Sequence, residues 1–127
     1  MDKSEIKDFE DLEIFKLAKE LANFIYDLTE GFPRAEKFSL TSQLRRAAIS
    51  IFANIAEGHG RFHYRENVQF ARQSRGSLSE VKGFLFFSFD RGYIGEEELN
   101  EYLSKHNILQ IKLNNYINSL LRRLNDL

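Results

Sequence analysis

The chain has no cysteine and a single proline among its 127 residues. The first absence excludes a disulfide framework and any thiolate-bound zinc or iron–sulfur centre. It also fits a reducing compartment, so a cytoplasmic location is expected. Long apolar runs are missing too. No stretch approaches the roughly 18 residues of a membrane-spanning helix, and residues 1–8 are charged where a secretion signal would be apolar. The sequence therefore predicts a chain that is neither secreted nor embedded in a membrane. At this length one domain over residues 1–127 is expected, large enough to bury a core without covalent or metal staples.

Recognisable catalytic patterns are also lacking. There is no Glu-x-x-His, which a carboxylate-bridged metal pair in a helical bundle would need, and no phosphate-binding glycine loop, Gly-x-Ser-x-Gly or His-Glu-x-x-His. His59 and His63 stand four apart with Glu66 nearby, but Gly58 and Gly60 interrupt the helix that would aim both imidazoles one way. A pair of surface loop histidines is the better reading. His106 falls on the inner stripe of the last helix and reads as a satisfied core histidine. The chain is expected to be non-enzymatic, with no cofactor and no metal.

What the sequence does contain is helical periodicity. Apolar residues recur at three- and four-residue spacing over about 10–29, 40–58, 64–91 and 96–125, and the glycines and the lone proline fall mostly between these segments. Gly31-Phe32-Pro33 closes the first segment, Ser39 or Thr41 is available to cap the second, and Gly58 is expected to end it in a left-handed conformation. Gly76 and Gly83 sit inside the third. Each costs a helix interior about 1 kcal/mol relative to alanine, which predicts close approach of another helix. Short connections between long helices make an all-α, up-down-up-down four-helix bundle the simplest architecture.

Two polar patterns lie on these helices. On the second, Gln43, Arg46, Ser50, Asn54 and Glu57 occupy an arc of about 80° beside the apolar stripe of Leu44, Ala47, Ala48, Ile51 and Ile55. Such a mixture of amide, hydroxyl and charged groups predicts a polar network at a helix seam, partnered by Gln73, Ser77 and Glu80 of the third helix. Arg46 with Glu80 or Glu57 would be its charged members. On this reading, Arg46→Ala or Glu57→Ala costs several kcal/mol, because the partner is stranded.

The second pattern is a ridge of arginines. Net charge is −1, but residues 1–33 sum to −5 (four Lys, nine acids), residues 34–91 to +5 (ten Lys or Arg, five acids) and residues 92–127 to −1 (four against five). Within the basic stretch Arg61, Arg65, Arg72 and Arg75 align within about 80° if the third helix extends back that far. Phe62 and Tyr64 beside them could stack on bases, which points to RNA or another nucleic acid as partner. Pairing with the acidic first helix of the same or a neighbouring chain is the competing explanation. Separately, Phe84, Phe86, Phe87 and Phe89 with Leu85 surround the end of the third helix. One bundle covers a helix on only part of its circumference, so these phenylalanines are expected at a contact between copies.

Residues 43–58, Gln-Leu-Arg-Arg-Ala-Ala-Ile-Ser-Ile-Phe-Ala-Asn-Ile-Ala-Glu-Gly, also form a recognisable motif. With Phe9-x-x-Leu12, Phe32-Pro33-x-x-Glu36, Arg75-Gly76-Ser77-Leu78-Ser79-Glu80 and Gly92-Tyr93-Ile94, the chain resembles the bacterial proteins encoded in intervening sequences of 23S ribosomal RNA genes, from Phe9 to Leu124. The resemblance implies a left-handed four-helix bundle assembled as a homopentameric ring, serving as a scaffold or an RNA-associated protein. It also brings in similar proteins, the accessory variability determinants of diversity-generating retroelements. By that route the alternative function is a nucleic-acid-binding accessory subunit of a reverse transcriptase. Those proteins are strongly basic, unlike this slightly acidic chain, and the Phe84 to Phe89 run and Gly83 depart from the family's usual residues.

Overall fold

Four α-helices occupy the four periodic segments: α1 (Glu13–Thr29), α2 (Leu40–His59), α3 (Tyr64–Asp90) and α4 (Glu96–Asn125). They are seen in a computed structural model whose described residues are 8–126, and no strand occurs among them. The helix bounds fall within a few residues of those read from periodicity. The largest difference is at the start, where Phe9–Asp11 form a separate 3-10 turn, closed by the Asp8 carboxylate accepting from the Phe9 N–H at 2.8 Å.

Neighbouring helices run antiparallel, and the cross-links show it. Phe15 and Thr29 of α1 meet Phe52 and Arg45 of α2, Ser50 and Gly58 of α2 meet Ser77 and Asn67 of α3, Tyr64 and Arg75 of α3 meet Arg123 and Asn114 of α4, and Lys105 and Lys112 of α4 meet Phe24 and Glu13 of α1. Each helix thus packs on its sequence neighbours, and α4 closes against α1, giving an all-α four-helix bundle. Its centre is apolar. Leu21, Ile25, Leu44, Ile51, Ile55, Leu78, Leu85, Leu109 and Leu113 are all essentially inaccessible. At about 1.5–3 kcal/mol per large apolar side chain, this stripe holds the helices together. No described helix is long and apolar enough to cross a membrane.

The helix ends are secured in ways that spacing alone did not reveal. Ser39 precedes α2 but makes no side-chain cap; it donates instead to Glu36, which also accepts from the Tyr93 hydroxyl at 2.8 Å. The Tyr93 ring lies 5.5 Å from that of Phe32. Two distant motifs, Phe32-Pro33-x-x-Glu36 and Gly92-Tyr93-Ile94, therefore meet and tie the α1–α2 connection to the α3–α4 turn. The hydrogen bonds from Ser39 and Tyr93 hold the Glu36 carboxyl below its usual range. Arg45 closes the end of α1: its Nε donates to Thr29 Oγ1 at 2.9 Å and one Nη to the Tyr26 carbonyl at 3.2 Å, where helix carbonyls lack partners.

The glycines are redistributed relative to expectation. Gly58 is buried inside α2, which runs on to His59 and ends through Gly60 at φ −74. The left-handed residue is Gly92, at φ 75, in the α3–α4 turn. Gly58 also has the close approach predicted for Gly76 and Gly83. A Cβ there would lie 2.8 Å from Phe70 Cβ and from Asn67 Oδ1, whereas a Cβ at Gly76 or Gly83 would meet nothing described within 4 Å.

Candidate functional site

The polar arc on α2 is divided by the seam it was expected to fill. Its inner residues meet α3: Ser50 and Ser77 share a hydrogen bond at 2.9 Å, and Asn54 Nδ2 donates to both the carbonyl and the hydroxyl of Ser50. Ser74 adds a buried bond, its hydroxyl donating to the Ile51 carbonyl at 2.7 Å. Gln43, Arg46, Glu57 and Glu80 lie outside this group, at exposed positions. For Arg46 and Glu57 the reason is angular: they sit about 20–80° further round α2 than Ser50 and Asn54, and that rotation carries a side chain from the seam into solvent. Glu57 pairs with Arg61 one turn on, not with Arg46. The expected charged core of the network is therefore a small hydroxyl and amide cluster with charges outside it.

The arginine ridge is divided as well. Arg75 turns inward and donates to Asn114 Oδ1 at 3.1 Å. Arg61 pairs with Glu57 and, at 3.8 Å, with Glu66, and its guanidinium lies 5.2 Å from the centre of the Phe70 ring. Arg65 and Arg72 are exposed and reach the groove between α3 and the end of α4.

Three adjoining recesses of about 410, 550 and 520 Å³ follow that groove. The first opens at the α2–α3 turn and includes His59, His63, Tyr116 and Arg123. Phe62, His63 and Tyr64 continue into the second, and Arg65 and Leu124 continue from there into the third. Four arginines line the whole, Arg61, Arg65, Arg72 and Arg123, against one carboxylate, Glu66.

Sequence reasoning missed Arg123, because it lies 51 residues beyond Arg72 and joins only through antiparallel packing of α4 on α3. Its guanidinium stands 5.9 Å from the centre of the Tyr64 ring. Deeper in, Asn67 and Tyr116 hydrogen-bond one another at 3.0 Å, and burial raises the Tyr116 phenol, so it keeps its proton. His59 and His63 face the same recess from different backbone segments. Among the described residues no group of histidines and carboxylates is placed to hold a metal ion.

His106 is buried as expected but only half satisfied. The Tyr102 hydroxyl meets Nδ1 at 3.1 Å, while Nε2 has no hydrogen-bond partner among the described residues. Burial and, secondarily, the charge of Lys82 lower its pKa.

The phenylalanines at the end of α3 stay open to solvent on more than one side: Phe86, Phe87 and Phe89 retain 44, 52 and 40% of their surface, and Phe84 is partly buried against the core. Ile108 and Ile111 form a second exposed apolar pair on α4.

Residues 10–115 match the family model described as 23S rRNA-intervening sequence protein. The chain belongs to that family. Among solved structures, it is similar to a protein of unknown function from the S23 ribosomal protein family of Bacteroides thetaiotaomicron. The TM-score is 0.76 at 20% identity, covering 83% of this chain and 95% of that one. No curated protein matches it. The family match carries the intervening-sequence relation; the retroelement relation has no counterpart among these matches.

Proposed function

We propose that this family member is a non-enzymatic helical bundle that assembles with copies of itself and serves as a scaffold. The observation that carries the reading is the exposure of Phe86, Phe87 and Phe89 around the end of α3. Three large aromatics left half-open on one helix end are costly in water, and exposed apolar surface of this extent marks protein contacts. Phe87 falls within about 40° of Gly76 and Gly83 on the outer face of α3, where nothing described approaches either glycine. A neighbouring copy seated there would supply the close packing partner that these two glycines lack within their own chain. A homopentameric ring is the assembly that the family resemblance implies.

Light scattering coupled to size exclusion tests the reading. The expected result is a discrete oligomer at micromolar concentration, with Phe87→Lys shifting it to a folded monomer. A wild-type protein that runs as a clean monomer refutes self-assembly.

RNA association is a second function for the same scaffold, favoured by a separate observation. A chain of net charge −1 concentrates four arginines against one carboxylate along a single groove. Arginine forks in a concave surface suit phosphate oxygens, and no other acid among the described residues lines the groove.

A further inference from the structure

We propose that the α3–α4 groove binds single-stranded RNA, with an unpaired base held at Phe62 and the following phosphates running past Arg65 to Arg72. The proposal rests on the RNA reading above and adds which form of RNA is bound, where, and by which side chains.

Phe62 is the first support. It is fully exposed in the α2–α3 turn, although every other aromatic of this half of the molecule is covered at least in part. A phenylalanine with no contact contributes nothing to the fold. It stands at the shared mouth of two recesses, beside Tyr64, whose ring is already faced by the Arg123 guanidinium. Aromatic rings and guanidinium planes are the surfaces on which unpaired bases stack. A duplex buries those base faces in its own stack and offers them only at its ends.

The groove's dimensions supply the second support. From Tyr64 to Arg72 is eight residues, about 12 Å along the helix axis. That is the length of roughly four nucleotides at about 3.4 Å each in a stacked strand. Arg65 and Arg72 lie along this path, and neither guanidinium forms an ion pair within 4 Å among the described residues. Between them the floor is formed by Val68 of α3 and Leu121 and Leu124 of α4, flanked by the amides of Gln69 and Gln73. The apolar side chains meet base edges and sugars without reading them, and the two amides can donate to phosphate oxygens.

The third support comes from what the groove leaves out. Arg75 belongs to the ridge by spacing but is engaged with Asn114, whereas Arg123 comes from another helix and lines the first recess. The proposal therefore distinguishes two arginines that a ridge read from sequence alone cannot.

Fluorescence anisotropy with a labelled single-stranded 12-nucleotide RNA, and with the same strand annealed to its complement, tests the inference on the full-length protein. At low salt the single strand should bind at least tenfold more tightly than the duplex. Phe62→Ala should weaken it by about five- to hundredfold, the range for loss of one base stack. Arg65→Gln, Arg72→Gln and Arg123→Gln should each lower the slope of log affinity against log salt by about 0.7, and Arg75→Gln should leave it unchanged. Melting curves and light scattering on each variant confirm that fold and assembly are intact. Binding of neither RNA form refutes the RNA reading itself. Equal binding of both forms with no effect of Phe62→Ala leaves RNA association standing and overturns the groove. Loss of assembly in Phe62→Ala with RNA binding retained assigns the aromatic to a subunit contact, and likewise overturns it.

Discussion

Replacing Gly58 by alanine should destabilise the protein, although alanine is the better helix former. The added Cβ would sit 2.8 Å from Phe70 Cβ and 2.8 Å from Asn67 Oδ1, with the Asn67 carbonyl at 3.3 Å. Ordinary carbon contacts lie at about 3.5–4.0 Å, so α2 and α3 must part by several tenths of an ångström or more at this crossing. Neither neighbour yields cheaply. Phe70 Cβ is fixed to its backbone, and the Asn67 amide can swing away only by giving up its bond to Tyr116 on α4. Overpacking of this kind costs about 1–3 kcal/mol, offset by up to about 1 kcal/mol of helix propensity, less so near a helix end.

A net loss of about 1–2 kcal/mol is therefore expected. At about 2.1 cal/mol/K of unfolding entropy per residue, that lowers the melting temperature of this chain by roughly 4–8 °C. Gly60→Ala is the internal control. It lies two residues away at an ordinary φ, with only carbonyls at 3.6 Å near the new carbon, and should raise stability by about 0.4–1 kcal/mol. Thermal unfolding followed by circular dichroism reads both. A Gly58→Ala protein that melts at or above wild type would show that the helices do not cross this closely, and the seam described here would be wrong.

The exposed charges of the α2 arc predict the opposite of what the sequence did. Arg46→Ala and Glu57→Ala should each shift stability by no more than about 0.5 kcal/mol, while Ser74→Ala, which removes the buried donor to the Ile51 carbonyl, should cost about 1 kcal/mol; equal losses in all three would restore the charged network. For His106 the sign follows from its lowered pKa. The unfolded chain takes up a proton below about pH 6.5 while the folded chain resists it, so the stability contributed by the neutral form is present above that pH and is lost as pH falls toward the folded value. Denaturant midpoints between pH 7.5 and 5 should fall in wild type and fall less steeply in His106→Leu, and parallel profiles would remove His106 as the cause.

The fold was legible because its determinants are local. Leu44, Ile51 and Ile55, or Leu78 and Leu85, declare a helix and its inner face through spacing alone, and the few glycines and one proline lie where the chain turns. Short connections then leave little choice but antiparallel neighbours. The role of each glycine was not legible, since it depends on distances between helices that periodicity does not encode. From sequence, Gly58 reads as the end of a helix and Gly76 as the point of close approach, and the structure moves the close approach to Gly58. One sits at the tightest crossing of α2 and α3, and the other faces open space.

The candidate site was legible only in part, for a related reason. Helical angle places a residue within about 20°, but the boundary between seam and solvent is itself crossed in less than one residue's rotation. Ser50 and Asn54 fall on one side of it, Arg46 and Glu57 on the other, and the neighbouring Arg45 turns the other way to close α1. Arg45 and Arg46 are identical in chemistry and adjacent in sequence, yet one is held by Thr29 and the Tyr26 carbonyl while the other is exposed. The same limit applies to the groove. Arg65 and Arg72 could be found by counting along α3, whereas Arg61 lies in the turn before that helix begins, and Arg123 and Tyr116 enter only when α4 is laid antiparallel beside it. A binding surface made at a helix seam is a property of the pair, so its second half becomes visible only after the pairing is known.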